Sequence, residues 1–167
     1  MQRSLEYFAG VFDGEGFVRI DDHFRQVNTG NVRYALHAGV AMTYKPLITM
    51  FFDQWGGMYK GDDSFQKRYH KNRIIYRWSI GNINCYRFLL DIRPFVIVKK
   101  EQVELAIRFQ DHVTENKRFM VGSGFKDTSL QKERLSIRAK LFDERAAMSL
   151  HMRQLKKENF PLVANDP

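Results

Sequence analysis

Apolar and polar positions along this chain change period several times, and each change marks an element. Leu5, Phe8, Ala9 and Phe12 recur at helical spacing behind Ser4, a residue suited to an N-cap, and predict a short helix ending at Gly14 or Gly16. From Phe17 to Val27 the pattern becomes alternation, with Val18 and Ile20 on one side and Arg19, Asp21, His23 and Arg25 on the other. A turn cluster, Asn28-Thr29-Gly30-Asn31, follows. Tyr34, Leu36, Ala38, Val40 and Met42 then alternate with Arg33, Ala35, His37, Gly39 and Ala41 as a second strand.

Pro46 suits the first turn of a second helix, whose stripe of Leu47, Met50, Phe51 and Trp55 stops at Gly56-Gly57. A second hairpin is expected from Met58 to about Gly61, through a charged loop with Asp62, Asp63, Lys67, Arg68 and His70, and back from Arg73 to Ile80. Cys85, Phe88, Leu89 and Ile92 predict a third helix ended by Arg93-Pro94, and residues 99–109 a fourth. After Gly122-Ser123-Gly124, Asp127 or Thr128 caps a long helix with Leu130, Ile137, Leu141, Met148, Met152 and Leu155 on its apolar side.

This order predicts an α+β fold: an αββαββα core with a curved antiparallel sheet, plus C-terminal helices. The core is assigned to residues 1–110, and residues 111–167 to a helical extension of the same domain. Helices would cover one face of the sheet. The other would carry Arg19, Asp21, His23, Arg25, Arg33, His37 and Arg77, a surface that can lie in a DNA major groove and read base edges. Trp55 and Trp78 are expected in the core. An ordinary polar outer face has the same pattern, but it predicts no accompanying catalytic feature.

Charge narrows the partners. The formal net charge is +8 over 167 residues, which favours a polyanion, nucleic acid or an anionic membrane surface, over an acidic small molecule. No apolar run approaches the roughly 20 residues that span a bilayer. The one cysteine, Cys85, excludes an internal disulfide framework and a Cys-based zinc site. With no signal peptide, the chain is expected to be soluble and intracellular, in the cytoplasm of a prokaryote or phage host or in an organelle. Against this basic background residues 1–31 hold three arginines and five acids, two of them in Asp13-Gly14-Glu15-Gly16. A carboxylate cluster inside a basic protein is what a metal site facing phosphates requires, although an ordinary solvated turn has the same composition.

The nine residues Phe8-Ala9-Gly10-Val11-Phe12-Asp13-Gly14-Glu15-Gly16 resemble the signature nonapeptide of the LAGLIDADG homing endonucleases, with a glycine at its seventh position. The element order is similar to that family's core, and the segment from Arg93 to Gln102 looks like its active-site lysine segment. The resemblance covers about the first 110 residues. It implies a homodimeric, site-specific double-strand DNA endonuclease acting on a long, partly palindromic target, since one copy of the motif is present. Glu15 would hold Mg²⁺ or Mn²⁺ together with the Gly14 carbonyl, and oxygen-only ligation suits Mg²⁺. Many members carry Asp where Glu15 stands. Lys99 matches the catalytic lysine, with Lys100 as the neighbour in register. Tyr44 falls where homodimeric relatives often place a water-positioning glutamine.

Ala9 and Gly10 would offer a small-residue face to a second protomer, with Phe8 and Phe12 turned to the protomer core and Asp13 at the junction. Gly14 and Gly16 would permit the tight turn into the strand. A non-cleaving nucleic-acid binder on the same fold, an intron RNA maturase or a DNA-binding regulator, stays open, as does a basic scaffold protein unrelated to nucleases. The last helix could clamp flanking DNA with Lys132, Arg134, Arg138 and Lys140, or cap the core.

Overall fold

Each change of period becomes an element boundary in the computed structural model, which describes residues 3–25, 31–62, 74–120 and 128–159. Helix α1 spans Leu5–Glu15, and Ser4 caps it by accepting the Tyr7 amide at 3.4 Å. Strands β1 (Gly16–Arg25) and β2 (Asn31–Met42) follow, then α2 (Lys45–Trp55), β3 (Met58–Asp62) and β4 (Ile75–Gly81). Next come α3 (Asn82–Ile92), a 3₁₀ turn at Arg93–Phe95, α4 (Lys100–Glu115), the short α5 (Lys117–Met120) and the 32-residue α6 (Thr128–Asn159). The strands form one antiparallel sheet in the order β1-β2-β4-β3. The predicted αββαββα order is therefore present. The turn at 28–30, the loop carrying Lys67, Arg68 and His70, and residues 122–124 and Asp127 lie outside the described residues.

Alternation explains the two faces of the sheet. Val18, Ile20, Leu36, Ala38, Val40, Trp78 and Ile80 are buried against the helices. Phe8 and Phe12 reach into the same core from α1. Phe8 meets Phe51 and Trp55 edge-on, each at 4.9 Å, and Phe12 meets Phe88 at 5.2 Å. Trp78 lies 5.0 Å from both Phe51 and Phe88, and its indole N–H donates to the Gly56 carbonyl at 2.7 Å. That acceptor is presented by Gly56-Gly57, both at positive φ, which end α2 as predicted. Cys85 is buried, and burial pushes its thiol pKa up, so it is a packing residue.

Two expectations about the opening motif change. Ala9 is fully buried in this chain's own core, so it does not contribute to an exposed face. Gly14 lies inside α1 rather than in a turn, and it and Gly10, four residues apart on one side of the helix, open onto empty space. The small-residue face is thus Gly10 and Gly14. Gly16 alone makes the junction, because a Cβ there would fall 2.3 Å from the Phe12 ring.

The C-terminal helices belong to the same core. A boundary at residue 110 falls inside α4, whose Val103, Ala106, Phe109 and Gln110 are buried. Leu141, Met152 and Leu155 of α6 are also buried. Because β1 is a sheet edge, one row of its backbone groups needs other partners. Ser149 of α6 meets this need by donating to the Ile20 carbonyl at 2.9 Å, and Arg153 pairs with Asp22 at 2.9 Å. Arg138 donates to the Phe119 carbonyl, whereas Lys132 and Lys140 are exposed. Capping is therefore what the packing of α6 does. Among the described residues no helix is long and apolar enough to cross a membrane.

Replacing Ser149 by Ala should lower folding stability by about 1 to 3 kcal/mol, since the buried Ile20 carbonyl loses its donor. Denaturant unfolding measures this, and an unchanged midpoint would show that the contact does not hold α6 to the sheet.

Candidate active site

The end of α1 and the segment after the 3₁₀ turn, far apart in sequence, are tied together by Asp13. Its carboxylate accepts the backbone N–H of Ile97 at 2.7 Å and that of Lys99 at 3.0 Å. The Lys99 ammonium in turn donates to the Asp13 backbone carbonyl. The carbonyls of a helix's last turn lack intrahelical partners and carry partial negative charge, so a cation satisfies both needs there. Lys99 is only 3% exposed. Burial lowers the pKa of its ammonium, while the negative charges of Asp13 and Glu15 act in the opposite direction. A lysine in this position is dry and fixed.

Glu15 is the last residue of α1 and is exposed, as is Gly14 before it. A carboxylate and a backbone carbonyl, both reachable from outside, are hard oxygen donors and fit a small divalent cation that keeps much of its water. Each oxygen of Asp13 accepts a backbone amide of its own chain. The structure gives it a positioning role at the helix end, with residues 97–99 as its partner. Among the described residues no three His, Cys, Asp or Glu side chains gather into a complete metal cage.

Tyr44 lies at the same end of the sheet. Gly16, next to Glu15, pairs with Val40, and Tyr44 follows four residues later as the residue before α2. Its side chain is 64% exposed and makes no capping hydrogen bond. The structure therefore brings Glu15, Lys99 and Asp13 together, and places Tyr44 on the same rim as an exposed phenol.

The open face of the sheet starts from this rim. Arg19 pairs across strands with His37, Asp21 with Ala35, and His23 with Arg33; Arg77 pairs with Ala41 on its other side. These positions share one face by register, and Arg19, Arg33 and Arg77 are exposed. His23 and Arg25 lie on β1, but their side chains are outside the described residues. The His37 ring lies over Gly81, where a Cβ would come within 3.1 Å of it. Arg19 forms an ion pair with Asp21, Nε lying 2.8 Å from the carboxylate, and stacks over the Phe17 ring at 5.1 Å.

Two basic residues of this face escaped the sequence pattern. Lys60, directly opposite Arg77, is exposed, and the alternation of the Met58 strand could have revealed it. Lys156 approaches from α6 closely enough to feel the charges of both Arg19 and Asp21, with burial lowering its pKa. Local pattern shows only that Lys156 ends a helix, because its position depends on where α6 docks.

No family model matches the sequence, and no curated protein matches it. Solved structures do. The homing endonuclease I-CvuI, in complex with its target and 2 mM Ca, superposes over 95% of this chain and 96% of its own, with TM-score 0.58 and 12% identity. The homing endonuclease I-TnaI matches over 95% and 99%, with TM-score 0.58 and 14% identity. The LAGLIDADG homing endonuclease I-SmaMI, bound to cleaved DNA, matches over 87% of this chain but only 42% of its own, with TM-score 0.57 and 12% identity. The chain has the LAGLIDADG homing endonuclease fold.

Asp13→Asn leaves one carbonyl oxygen for two amides, so the Ile97 and Lys99 amides should exchange with solvent at least several-fold faster, at a stability cost of about 1 to 3 kcal/mol. Hydrogen exchange resolved to single residues measures this. Equal protection in both proteins would remove Asp13 from its positioning role.

Proposed function

We propose that this chain is one protomer of a homodimeric, site-specific DNA endonuclease that cuts both strands of a long, partly palindromic target. The observation that carries the proposal is the placement of Lys99, buried and held by Asp13 beside Glu15, at the rim of an open sheet face lined with Arg19, Arg33, Arg77 and Lys60. The fold supports it, as does the correspondence to the whole of the I-CvuI and I-TnaI chains but less than half of the I-SmaMI chain.

In this proposal the sheet lies along the major groove, with phosphate contacts fixing the register and base-edge contacts selecting the site. Glu15 and the Gly14 carbonyl hold a divalent cation, Mg²⁺ or Mn²⁺, which when bound would activate water and stabilise charge on the phosphate oxygens. Lys99 stands behind the same site, fixed against the end of α1, and acts on the phosphate through its field with little reorganisation as charge develops. Tyr44 can hydrogen-bond a water or a phosphate oxygen from the rim. One such site serves one strand, so cutting both requires a second copy of the chain. Gly10 and Gly14 leave the outer side of α1 bare, which permits two such helices to approach closely.

Glu15→Gln should bind duplex DNA with unchanged affinity while cleavage falls below detection. Gel shift and digestion of the same duplex measure the two quantities, and undiminished cleavage would remove Glu15 from the metal site. Gly10→Leu, on the exposed side of α1, should convert the dimer to monomers in sedimentation velocity. Retention of the dimer would place the interface elsewhere.

A further inference from the structure

An acid on a surface meant for a polyanion is electrostatically unfavourable unless it has a separate task, and the contacts of Asp21 supply one. Residues 17, 19 and 21 of β1 share the open face. Phe17 pairs with Gly39, and its ring occupies the space where a Cβ on Gly39 would come within 2.8 Å of it. The missing side chain leaves room for the ring over Gly39. Arg19 stacks on that ring at 5.1 Å, while its Nε lies 2.8 Å from a carboxylate oxygen of Asp21 in an ion pair. Lys156, on α6, is close enough to feel both charges of the pair, repelled by Arg19 and attracted to Asp21.

We propose that Phe17 and Asp21 hold Arg19 as a preformed guanine-reading clamp, with Asp21 acting as a positioning residue that determines specificity rather than as a base contact. With Asp21 beside Nε, the edge of the planar guanidinium that remains to meet a base is the one formed by its two terminal amino groups, side by side. That edge matches the paired acceptors N7 and O6 of guanine in the major groove. An ion pair this exposed, with side chains 51% and 24% accessible, adds little to stability, so its main effect is on orientation. The clamp rests on the DNA-reading assignment of the sheet and adds to it the identity of one base pair in each half-site.

The test is selection of bound duplexes from a randomised library by the full chain without a cleavage-supporting metal, followed by sequencing. Wild type should prefer guanine at one position per half-site by about five- to a hundredfold. Asp21→Asn, which removes a negative charge from the face, should bind duplex DNA at least as tightly as wild type and keep the preferences elsewhere, while reducing that one preference by about fivefold or more. Phe17→Leu, which still covers Gly39 but offers no ring, should relax the same position, and Arg19→Ala should abolish it. If wild type selects a site but Asp21→Asn and Phe17→Leu reproduce its full profile, the clamp is wrong and the reading face stands. If wild type binds no duplex, or binds every sequence equally, the DNA-reading assignment and the clamp both fall.

Discussion

The Asp13 carboxylate fixes the functional end of this molecule by accepting two backbone amides, Ile97 at 2.7 Å and Lys99 at 3.0 Å, from a segment more than 80 residues away. Everything at that end follows from the grip. It stops the chain after the 3₁₀ turn from swinging outward, buries the Lys99 side chain, and directs its ammonium onto the last carbonyls of α1. A buried ammonium is costly unless it is bonded and partnered by negative charge. The helix terminus, Asp13 and Glu15 meet that requirement together. Asp13 is thus committed to the chain's own backbone, and Glu15 stands exposed beside it.

Helix α1 carries three tasks on three sides because its side chains are distributed around 3.6 residues per turn. Phe8, Ala9 and Phe12 enter the aromatic core with Phe51, Trp78 and Phe88. Gly10 and Gly14 face outward with nothing against them. The C-terminal end holds Asp13 and Glu15, and passes without a loop into β1. A shift of the helix in the core would therefore displace the acids and the first residues of the open face together. The long α6 steadies the other side of β1, where Ser149 and Arg153 bond the edge strand.

Local order was legible in the sequence wherever a period was long enough to read. Alternation at Val18, Ile20, Leu36, Ala38 and Val40 identified both strands and their buried faces, and Gly56-Gly57 marked the end of α2. Helical spacing placed Phe8 and Phe12 in the core. The candidate site residues were individually named through the nonapeptide and the lysine segment, but the bonds joining Asp13 to residues 97–99 were not, because a hydrogen bond between Asp13 and Ile97 leaves no trace in local pattern. Ala9 shares the helical spacing of Leu5, Phe8 and Phe12, and its burial follows that spacing rather than its small size. Lys156 and the edge-capping role of Ser149 depend on how a 32-residue helix docks, which its own apolar stripe does not specify.

The central claim is that this geometry cuts DNA, and digestion of a randomised duplex library with the purified chain and Mg²⁺, followed by sequencing of the new ends, tests it most directly. The account predicts paired breaks on both strands at one partly palindromic site, absent when the metal is chelated. Tight, selective binding with no new ends at any Mg²⁺ concentration would contradict it and identify the chain as a binder on a nuclease fold.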